Sequence, residues 1–565
     1  MNLKQLIMAA AAAVSGLAQA ITSEEIIAVL QSEIGVSDNA IQVSVSEGPQ
    51  WIVDTNVVHT GSSSLKIGAV GHGQRSSKII LTSNDIICRV KFMYKVSSEG
   101  SFDKLEVYEN EMCTMSASGE VSWMMKEVIL LPRQSVSFSY IKDNSGQSGS
   151  DTAWIDIISI EPFVLSDANK VQVKNITCTQ RYPWNGKVDI DYEVFADDPA
   201  ADVWVYATGF DKDANVSMGV RAISGDGANA PVKPGKHRMT WDVTADYPGF
   251  NSTAFTVKMT ALTGGAPYMV VDLSGGVDAL SYPLSYLSSV PAGGWTDEYK
   301  TTKLVLRLIP PGSFMMGSPS DEPGRDGYED LHGVVLTKPF YIGVFELTQK
   351  QWQLVMGDTP SYYKGDARPV EKVSYNTIRG SVNGAAWPTH NQVDANSFMG
   401  RLRSKVNMLF DLPTEAQWEY ACRAGTATGL NNGKEYSWSG NNCYEVARWN
   451  RNSHNSGSDY VYDGKGGYTY HTKVGLYLEN MWGLYDMHGN VSELCRDFWN
   501  NGLGTAGVVD PVGASKGYSN GDERAFRGGN YSSNNIRSAF RYYSYMRSGS
   551  TSEGVGFRVV CLPAE

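Results

Sequence analysis

Short runs in which apolar residues recur at alternate positions fill the first half of this chain and constrain its fold most strongly. Glycine, serine and asparagine separate the runs, which include residues 91–98, 104–110 and 135–143. Successive side chains of a β-strand point to opposite faces, so this alternation is typical of strands with one buried face. We therefore predict an all-β sandwich or jelly-roll domain over residues 21–163.

The same pattern continues beyond residue 163. Strand-like runs recur at 171–178, 187–195, 203–208, 235–243 and 255–263, and loops rich in glycine, aspartate and proline separate these runs. About seven short strands in about 120 residues are typical of an immunoglobulin-like or fibronectin-like sandwich, which we predict over residues 164–290. Pro291 and the glycines at 293–294 indicate a linker at residues 291–302.

The first twenty residues have the three parts of a secretory signal peptide. Lys4 precedes an apolar run from Leu6 to Leu17, and the small-residue site Ala18-Gln-Ala20 follows. The run is shorter than the roughly 20 residues that cross a bilayer. We predict that residues 1–20 are removed and that the protein is exported, either secreted, periplasmic or at the cell surface. Because no other long apolar run follows, we expect no transmembrane segment after cleavage.

Charge and cysteine content narrow the function classes. The formal net charge is −12, which argues against general nucleic-acid binding, since such binding needs a basic face. An oxidising compartment would permit disulfides among the seven cysteines, but an odd number leaves at least one unpaired. No C-x-x-C motif is present, so the common zinc and redox motifs are absent. The pairing of the cysteines stays open.

The chain changes character over residues 303–565, where helix start signals accompany short strands. Residues 304–309 are predicted to form a strand. Thr348 with Gln351, and Thr414 with Gln417, have the spacing of capping boxes that open helices. We expect the first helix to run through residue 356 and the second to end before Gly425.

Six motifs in this region resemble the sulfatase-modifying-factor family, which includes the formylglycine-generating enzymes. They occur in the family's order at residues 309–317, 340–348, 412–425, 483–491, 527–531 and 556–559. The resemblance implies an α+β domain of the C-type-lectin-like, formylglycine-generating-enzyme type over residues 303–565. We thus expect a multi-domain protein with two all-β sandwiches followed by this domain. A fold by itself does not imply activity.

The sequence departs from the family where the enzyme needs two cysteines that bind copper(I). An ungapped match places Ser533 and Ser538 at those positions, and no cysteine lies between Cys495 and Cys561. A serine hydroxyl is a poor ligand for copper(I), which prefers soft thiolates. We therefore expect no copper, and we disfavour formylglycine-generating activity. The iron-dependent relatives carry a helical domain with two histidines and a carboxylate; this sequence has neither that domain nor that motif, so we expect no iron either.

The family also holds a structural calcium ion in a loop that resembles residues 483–493. On that match, the calcium ligands would be side-chain oxygens of Asp486 and Glu493 and backbone carbonyls of Gly489 and Val491. Hard oxygen ligands suit Ca²⁺. In the alternative interpretation, the two carboxylates make turn hydrogen bonds without an ion.

Residues 530–551 are rich in asparagine, serine, tyrosine and arginine and contain no acidic residue. This composition is typical of antibody-like binding surfaces, and it resembles the variable region of retroelement-diversified members of the family. The predicted ligand-binding residues are Asn530, Ser532, Ser533, Asn534, Asn535, Arg537, Arg541, Tyr542, Tyr543 and Tyr545. Alternatively, the arginines pair with carboxylates in the core.

These patterns favour an exported, calcium-stabilised binding protein whose ligand is an extracellular or cell-surface protein or glycan. The alternative is an oxidase or oxygenase of the same family that acts on a peptide cysteine or a small molecule. A possible set of metal ligands would include His454, His471 and His488. Their spacing is arbitrary and matches no known metal site. His488 is expected to face solvent. A purely structural role in the cell envelope is a third possibility.

Overall fold

The structure is a computed structural model that describes most of the chain after residue 40. The described residues are 41–84, 86–144, 148–162, 171–211, 216–250, 252, 254–263, 266–437, 441–453, 470–518, 521–542 and 547–562. The predicted signal peptide at residues 1–20, His454, Tyr543 and Tyr545 lie outside them. The chain forms two compact units, one with the described residues up to 162 and 505–507, the other with the remainder.

The first unit is built from two antiparallel five-stranded sheets. Its strands are β1 (Ile41–Val45), β2 (Trp51–Asp54), β3 (Ser64–Ile67), β4 (Ile79–Ser83), β5 (Cys88–Ser97), β6 (Lys104–Glu109), β7 (Met112–Ala117), β8 (Glu120–Leu130), β9 (Ser135–Ile141) and β10 (Thr152–Pro162). One sheet has the order β1-β4-β9-β6-β7 and the other β2-β3-β10-β5-β8. Apolar side chains of both sheets share one buried core, which includes Trp51, Phe92 and Phe138. The alternation of the sequence produces this layered arrangement.

The second unit begins with a smaller pair of sheets. The elements are β11 (Val171–Gln180), β12 (Lys187–Ala196), β13 (Val203–Asp211), β14 (Val216–Gly219), β15 (Ile223–Gly225), β16 (Gly235–Asp242), β17 (Phe255–Thr263) and the short helix α1 (Val243–Asp246). Their orders are β11-β12-β16-β15 and β14-β13-β17. Val188, Ile190, Tyr192 and Val194 of β12 alternate into a core around Trp241. These sheets form the second sandwich, residues 171–263.

The C-terminal domain combines short strands with much irregular backbone. Its strands are β18 (Tyr268–Asp272), β19 (Leu284–Leu287), β20 (Lys303–Ile309), β21 (Gly312–Met316), β22 (His332–Leu336), β23 (Phe340–Gly343), β24 (Leu409–Asp411), β25 (Ala447–Arg448), β26 (His488–Gly489), β27 (Ser492–Phe498), β28 (Val508–Val509), β29 (Arg524–Arg527), β30 (Arg541–Tyr542), β31 (Val555–Gly556) and β32 (Val560–Leu562). The largest sheet has the order β19-β18-β20-β23-β32-β24, and a second has the order β30-β29-β27-β31.

The domain begins earlier than the sequence predicted. Strands β18 and β19 lie in the same sheet as β20, with Val270 opposite Val305. The apolar run of β18 is buried on both faces, which is why a period-2 pattern did not reveal its partner. The predicted linker at 291–302 is also packed, since the Trp295 ring lies 5.1 Å from the rings of Tyr268 and Tyr299. Residues 266–302 therefore belong to the C-terminal domain rather than to a sandwich and a linker.

Both predicted capping boxes are present. The helices of this domain are α2 (Gln349–Met356), α3 (Tyr375–Arg379), α4 (Phe398–Val406), α5 (Glu415–Arg423) and α6 (Asn450–Ser453). Helix α2 has the Thr348–Gln351 box and α5 the Thr414–Gln417 box. Both helices end in a left-handed residue, as is common at helix C-termini.

The described residues include all seven cysteines, and no disulfide bond joins any two of them. No helix within the described residues is long and apolar enough to cross a membrane.

Candidate ligand-binding site

The segment that follows β29 forms a tight turn because two glycines adopt positive φ values. Gly528 has φ +85° and Gly529 has φ +66°, a region that side chains rarely adopt. A Cβ atom on Gly529 would lie 2.5 Å from the backbone oxygen of Asn535. The turn therefore requires glycine, and it brings residues 530–535 together as a compact loop.

Asn530 organises the first part of this loop. Its Oδ1 accepts hydrogen bonds from the backbone N–H and the hydroxyl of Ser532, at 2.9 Å each. Its own N–H donates to the hydroxyl of Ser533 at 2.9 Å. Ser532 is exposed, whereas Asn530 and Ser533 are half-buried. Three predicted binding residues thus lie together.

The next two asparagines attach the loop to other parts of the domain. The exposed Asn534 accepts a hydrogen bond from the side chain of Asn450. The half-buried Asn535 donates through its amide nitrogen to the carbonyl of Gly324 at 2.9 Å. Tyr542 lies at the end of the β29–β30 pair, with its ring 5.7 Å from Phe526, and is 44% exposed. Ser532, Asn534 and Tyr542 are the most accessible predicted residues among those described.

The predicted role of Arg537 and Arg541 as surface anchors is wrong. Arg537 is fully buried and donates to Glu329 at 2.6 and 2.8 Å and to Glu322 at 2.5 Å. Arg541 donates to both carboxylate oxygens of Glu415, at 2.7 and 2.8 Å. Such bidentate ion pairs fix the position of a guanidinium group. These arginines support the loop from beneath, as the alternative interpretation proposed.

The two serines at the family's cysteine positions lie in different surroundings. Ser533 is half-buried in the loop, while Ser538 is fully buried beside Cys422. Burial raises the pKa of the Cys422 thiol to about 12. Without a bound metal ion, the Cys422 side chain is therefore a thiol rather than a thiolate at neutral pH.

His488 does not face solvent, contrary to expectation. It is completely buried, its Nδ1–H donates to the Ile536 carbonyl at 2.5 Å, and its Nε2 accepts from the Asn431 N–H at 3.0 Å. Burial lowers the pKa of His488 to about 4. Its two ring nitrogens are thus both engaged by the backbone. His488 connects the 483–493 loop to the loop that carries Ile536.

The predicted calcium ligands are all buried, but one carboxylate has a competing partner. Glu493 accepts two hydrogen bonds from Arg558, at 2.6 Å each, and one from the indole nitrogen of Trp418 at 2.7 Å. Asp486 accepts from the Gly475 N–H at 2.6 Å. A calcium ion would therefore have to share Glu493 with Arg558, and the fit rests mainly on Asp486 and the loop backbone.

A third carboxylate, Glu346, lies in the same buried region. It accepts from the Asn490 side chain at 2.6 Å and from the Val491 N–H at 3.0 Å. Burial, together with the charges of Asp486 and Glu493, raises the pKa of Glu346 well above its usual value. The carboxyl groups of Glu346, Asp486 and Glu493 and the Arg558 guanidinium thus lie close enough to influence one another's charge. Across the described ranges, no group of three or more His, Cys, Asp and Glu side chains has an arrangement that could hold a metal ion.

Sequence patterns missed a tyrosine cluster beside the loop. The rings of Tyr363 and Tyr470 stack at 3.6 Å, and Tyr531 meets them edge-on at 6.3 and 5.5 Å. His471 is buried against this cluster, with its ring 5.5 Å from that of Tyr363. These residues come from segments far apart in sequence and in no periodic pattern. Tyr531 lies within a family motif, and His471 was named from the sequence only as a possible metal ligand of the oxidase alternative.

Comparisons with known proteins agree with the resemblance in the C-terminal region. The model of the sulfatase-modifying factor enzyme 1-like domain matches residues 296–562. The chaperone protein LppX of Paenibacillus barcinonensis is 33% identical over 224 residues, which cover 34% of this chain and 71% of that protein. The formylglycine-generating enzyme of Streptomyces coelicolor is 34% identical over 152 residues, which cover 26% of this chain and only 45% of the enzyme.

Among solved structures, Treponema denticola variable protein 1 is similar with 23% identity and a TM-score of 0.36, covering 46% of this chain and 96% of that protein. The family model matches the irregular C-terminal domain that carries the loop and the buried arginines, and the chaperone protein LppX is 33% identical to this chain over 71% of its own length. The chain therefore belongs to the family of proteins with a sulfatase-modifying factor enzyme 1-like domain.

Proposed function

We propose that this protein is an exported, non-catalytic recognition protein whose C-terminal domain binds a protein or glycan outside the cell. One observation carries the proposal. Serines stand at the family's two cysteine positions, 533 and 538, and the exposed side chains of the loop at 530–535, Ser532 and Asn534, can only form hydrogen bonds. Serine and asparagine give adaptable hydrogen bonding, as in antibody paratopes.

The scaffold beneath the loop supports this proposal. The ion pairs of Arg537 with Glu329 and of Arg541 with Glu415 are buried and directed inward. Held in this way, the loop pays little conformational entropy when a ligand binds. A calcium ion near Asp486 is part of the proposal, since it would neutralise the excess of buried carboxylates there. Export through the sequence at residues 1–20 is likewise part of it.

The relative named a chaperone protein favours a narrower second candidate. It is 33% identical to this chain, and a chaperone binds other proteins rather than transforming a small substrate. On this candidate, the ligand of the C-terminal domain is an exported protein during its folding. Suppression of aggregation of a co-secreted protein by the purified chain, at equimolar amounts, would support it.

The main experiment compares partners captured from the secreted fraction of the source cells. The wild-type chain is compared with Asn534→Arg, which places a bulky charge on the loop, and with Tyr182→Ala, which alters a side chain on the second sandwich that is 99% exposed. We expect Asn534→Arg to lose the partner and Tyr182→Ala to keep it. Equal capture by all three proteins would contradict the proposal.

A metal analysis tests the oxidase alternative directly. Elemental mass spectrometry of the purified chain, after dialysis against copper and iron in turn, should find neither metal at a stoichiometric level. Stoichiometric copper or iron, together with conversion of a cysteine-containing peptide, would replace the recognition proposal with the oxidase.

A further inference from the structure

Four tyrosines from three segments of the C-terminal domain lie next to one another beside the loop. We call this group, Tyr362, Tyr363, Tyr470 and Tyr531, the tyrosine surface. Tyr362 is 62% exposed and meets Tyr363 edge-on at 4.9 Å. Tyr363 and Tyr470 are half-buried, and Tyr531 is buried. Tyr531 immediately precedes Ser532, so the tyrosine surface is continuous with the loop at residues 530–535.

Two buried polar side chains next to these rings, His471 and Glu371, have atoms without a hydrogen-bond partner among the described residues. His471 is fully buried, and its Nε2 is 3.7 Å from Oε1 of the buried Glu371. Glu371 Oε1 accepts from the backbone N–H groups of Tyr362 and Tyr363, at 2.6 and 2.9 Å. Within the described part of the chain, Glu371 Oε2 and both ring nitrogens of His471 have no hydrogen-bond partner. Buried polar atoms are nearly always paired, so these atoms call for a group supplied from elsewhere.

Both signs of charge occur around the tyrosine surface, at its rim and at its base. At its rim, Lys372 lies 3.5 Å from Glu553, with its ammonium 5.6 Å from the centre of the Tyr362 ring. At its base, Arg368 and Glu371 act on His471 in opposite directions. Burial lowers the pKa of His471, which is therefore neutral at physiological pH. Neither an anion nor a cation is strongly favoured as the ligand.

The polar groups match hydroxyls better than other ligand groups. A neutral imidazole has one N–H donor and one acceptor nitrogen, and Glu371 Oε2 adds an acceptor. One hydroxyl oxygen both donates and accepts, whereas a peptide group donates and accepts through two separate atoms and an ammonium only donates. The face of an aromatic ring is negative, so it attracts the weakly positive C–H groups of a sugar ring. Ser532 and Asn534 add neutral hydrogen-bonding groups at the side.

From these contacts we infer that the tyrosine surface, together with residues 532–535, binds a neutral saccharide. The inference rests on the proposed recognition function and narrows its ligand class. Tyr362, which is 62% exposed, would stack on the sugar ring, with the Tyr363 ring edge-on beside it at 4.9 Å. His471 and Glu371 would bind a sugar hydroxyl, directly or through a water molecule.

The test uses the full mature chain and the methyl glycosides of glucose, galactose, mannose and N-acetylglucosamine. Saturation-transfer NMR reports weak binding of each glycoside. The variants are Tyr362→Ala, Tyr363→Leu and the isosteric Glu371→Gln, with Tyr182→Ala as the control for an exposed tyrosine elsewhere. Thermal unfolding confirms that each variant is folded, and Tyr362→Ala, at an exposed position, should fold normally.

We expect transfer to at least one glycoside, and affinity at least about tenfold lower in Tyr362→Ala and Tyr363→Leu, about 1.4 kcal/mol. Tyr182→Ala should bind like the wild type. Transfer that is unchanged in both tyrosine variants, or no transfer at all, overturns the inference. If no glycoside binds but a secreted protein is captured in an Asn534-dependent way, the saccharide inference fails and the recognition function stands. If neither glycoside binding nor capture of a secreted protein depends on these residues, the saccharide inference and the recognition proposal both fail.

Discussion

The second sandwich and the C-terminal domain use charged residues in opposite ways. On the sandwich, ion pairs such as Arg238 with Asp191, at 2.6 Å, lie on the exposed faces of strands whose apolar sides form the core. In the C-terminal domain, Arg527, Arg537 and Arg558 are fully buried with carboxylate partners. Regular strands satisfy their own backbone groups, whereas irregular loops need side chains to bind their carbonyl groups and to connect them. Buried guanidiniums do both, as Arg558 does for Gly343 and Tyr485.

The largest change in stability is expected when the buried ion pairs of Arg537 are broken. Arg537→Met removes the charge that Glu322 and Glu329 face, leaving two buried carboxylates uncompensated. We expect a loss of about 3–5 kcal/mol in the free energy of unfolding of the C-terminal domain. Urea denaturation, followed by tryptophan fluorescence, measures it.

The matched control is Arg238→Met on the sandwich. Its ion pair is solvated, and exposed pairs contribute little, so no measurable change is expected. Equal losses in the two variants would show that the contrast between the regions is wrong.

The pH dependence of stability also distinguishes the two regions, and in the C-terminal domain it is expected to depend on Asp497 on β27. Burial raises the pKa of Asp497 from 3.8 to about 7. The folded state then holds this proton more tightly than the unfolded state, so the free energy of unfolding falls as pH rises from about 4 to 7. Asp497→Asn removes this loss and should be more stable than the wild type by up to about 4 kcal/mol at pH 8, with little difference at pH 4.

On the sandwich, Asp189 should behave in the opposite sense. The hydrogen bonds from Arg181 lower the pKa of Asp189, so its stabilisation is present above the unfolded pKa and is lost as pH falls. Asp189→Asn should therefore remove a small stabilisation at neutral pH. Thermal unfolding between pH 4 and 8 distinguishes the two variants, and a common direction for both would contradict the assignment.

Calcium should stabilise the C-terminal domain alone. At a calcium concentration about 100-fold above the dissociation constant, binding would add about 2.7 kcal/mol. We expect the unfolding temperature to rise with calcium, to fall with EDTA, and to become insensitive in Asp486→Asn. The control Asp191→Asn on the sandwich should keep the response. If the unfolding temperature of the wild-type chain does not change with calcium, the calcium proposal fails, and Arg558 rather than an ion compensates the charge of Glu493.

The last comparison is between two glycines with positive φ, one in each region. Gly529→Ala places a Cβ 2.5 Å from the Asn535 oxygen, whereas the space around Gly249 is open and its φ is +83°. We expect Gly529→Ala to cost about 2 kcal/mol and Gly249→Ala about 1 kcal/mol. Unfolding temperatures of the two variants provide the comparison, and equal values would mean that the loop can relax around the new methyl group.

The two regions also differ in how far sequence patterns predicted them. In the sandwich, the strands at 187–195 and 255–263 were predicted to within one residue of β12 and β17. Alternation of apolar residues depends only on positions close together in the chain, so the sequence alone predicts these strands. The capping boxes at Thr348 and Thr414 were also predicted correctly, because the cap and its partner are three residues apart.

The candidate site was predicted only in part. The loop at 530–535 was located through its family motif, but Arg537 and Arg541 were placed at the surface and His488 in solvent. Burial depends on contacts with distant residues, such as Glu329 for Arg537, and no spacing in the sequence records them. Tyr363, Glu371 and His471 likewise meet Tyr531 only because separate loops converge.

By itself, the sequence determined the β-rich character of the sandwiches, the helix starts, the family of the C-terminal domain and the loss of its two cysteines, since each depends on residue types at short spacing. The tertiary structure alone decided that β18 and β19 join the C-terminal sheet, that buried arginines hold its loops, and that tyrosines from three segments form one surface. Those features arise from contacts between residues far apart in the chain, where local periodicity has no influence.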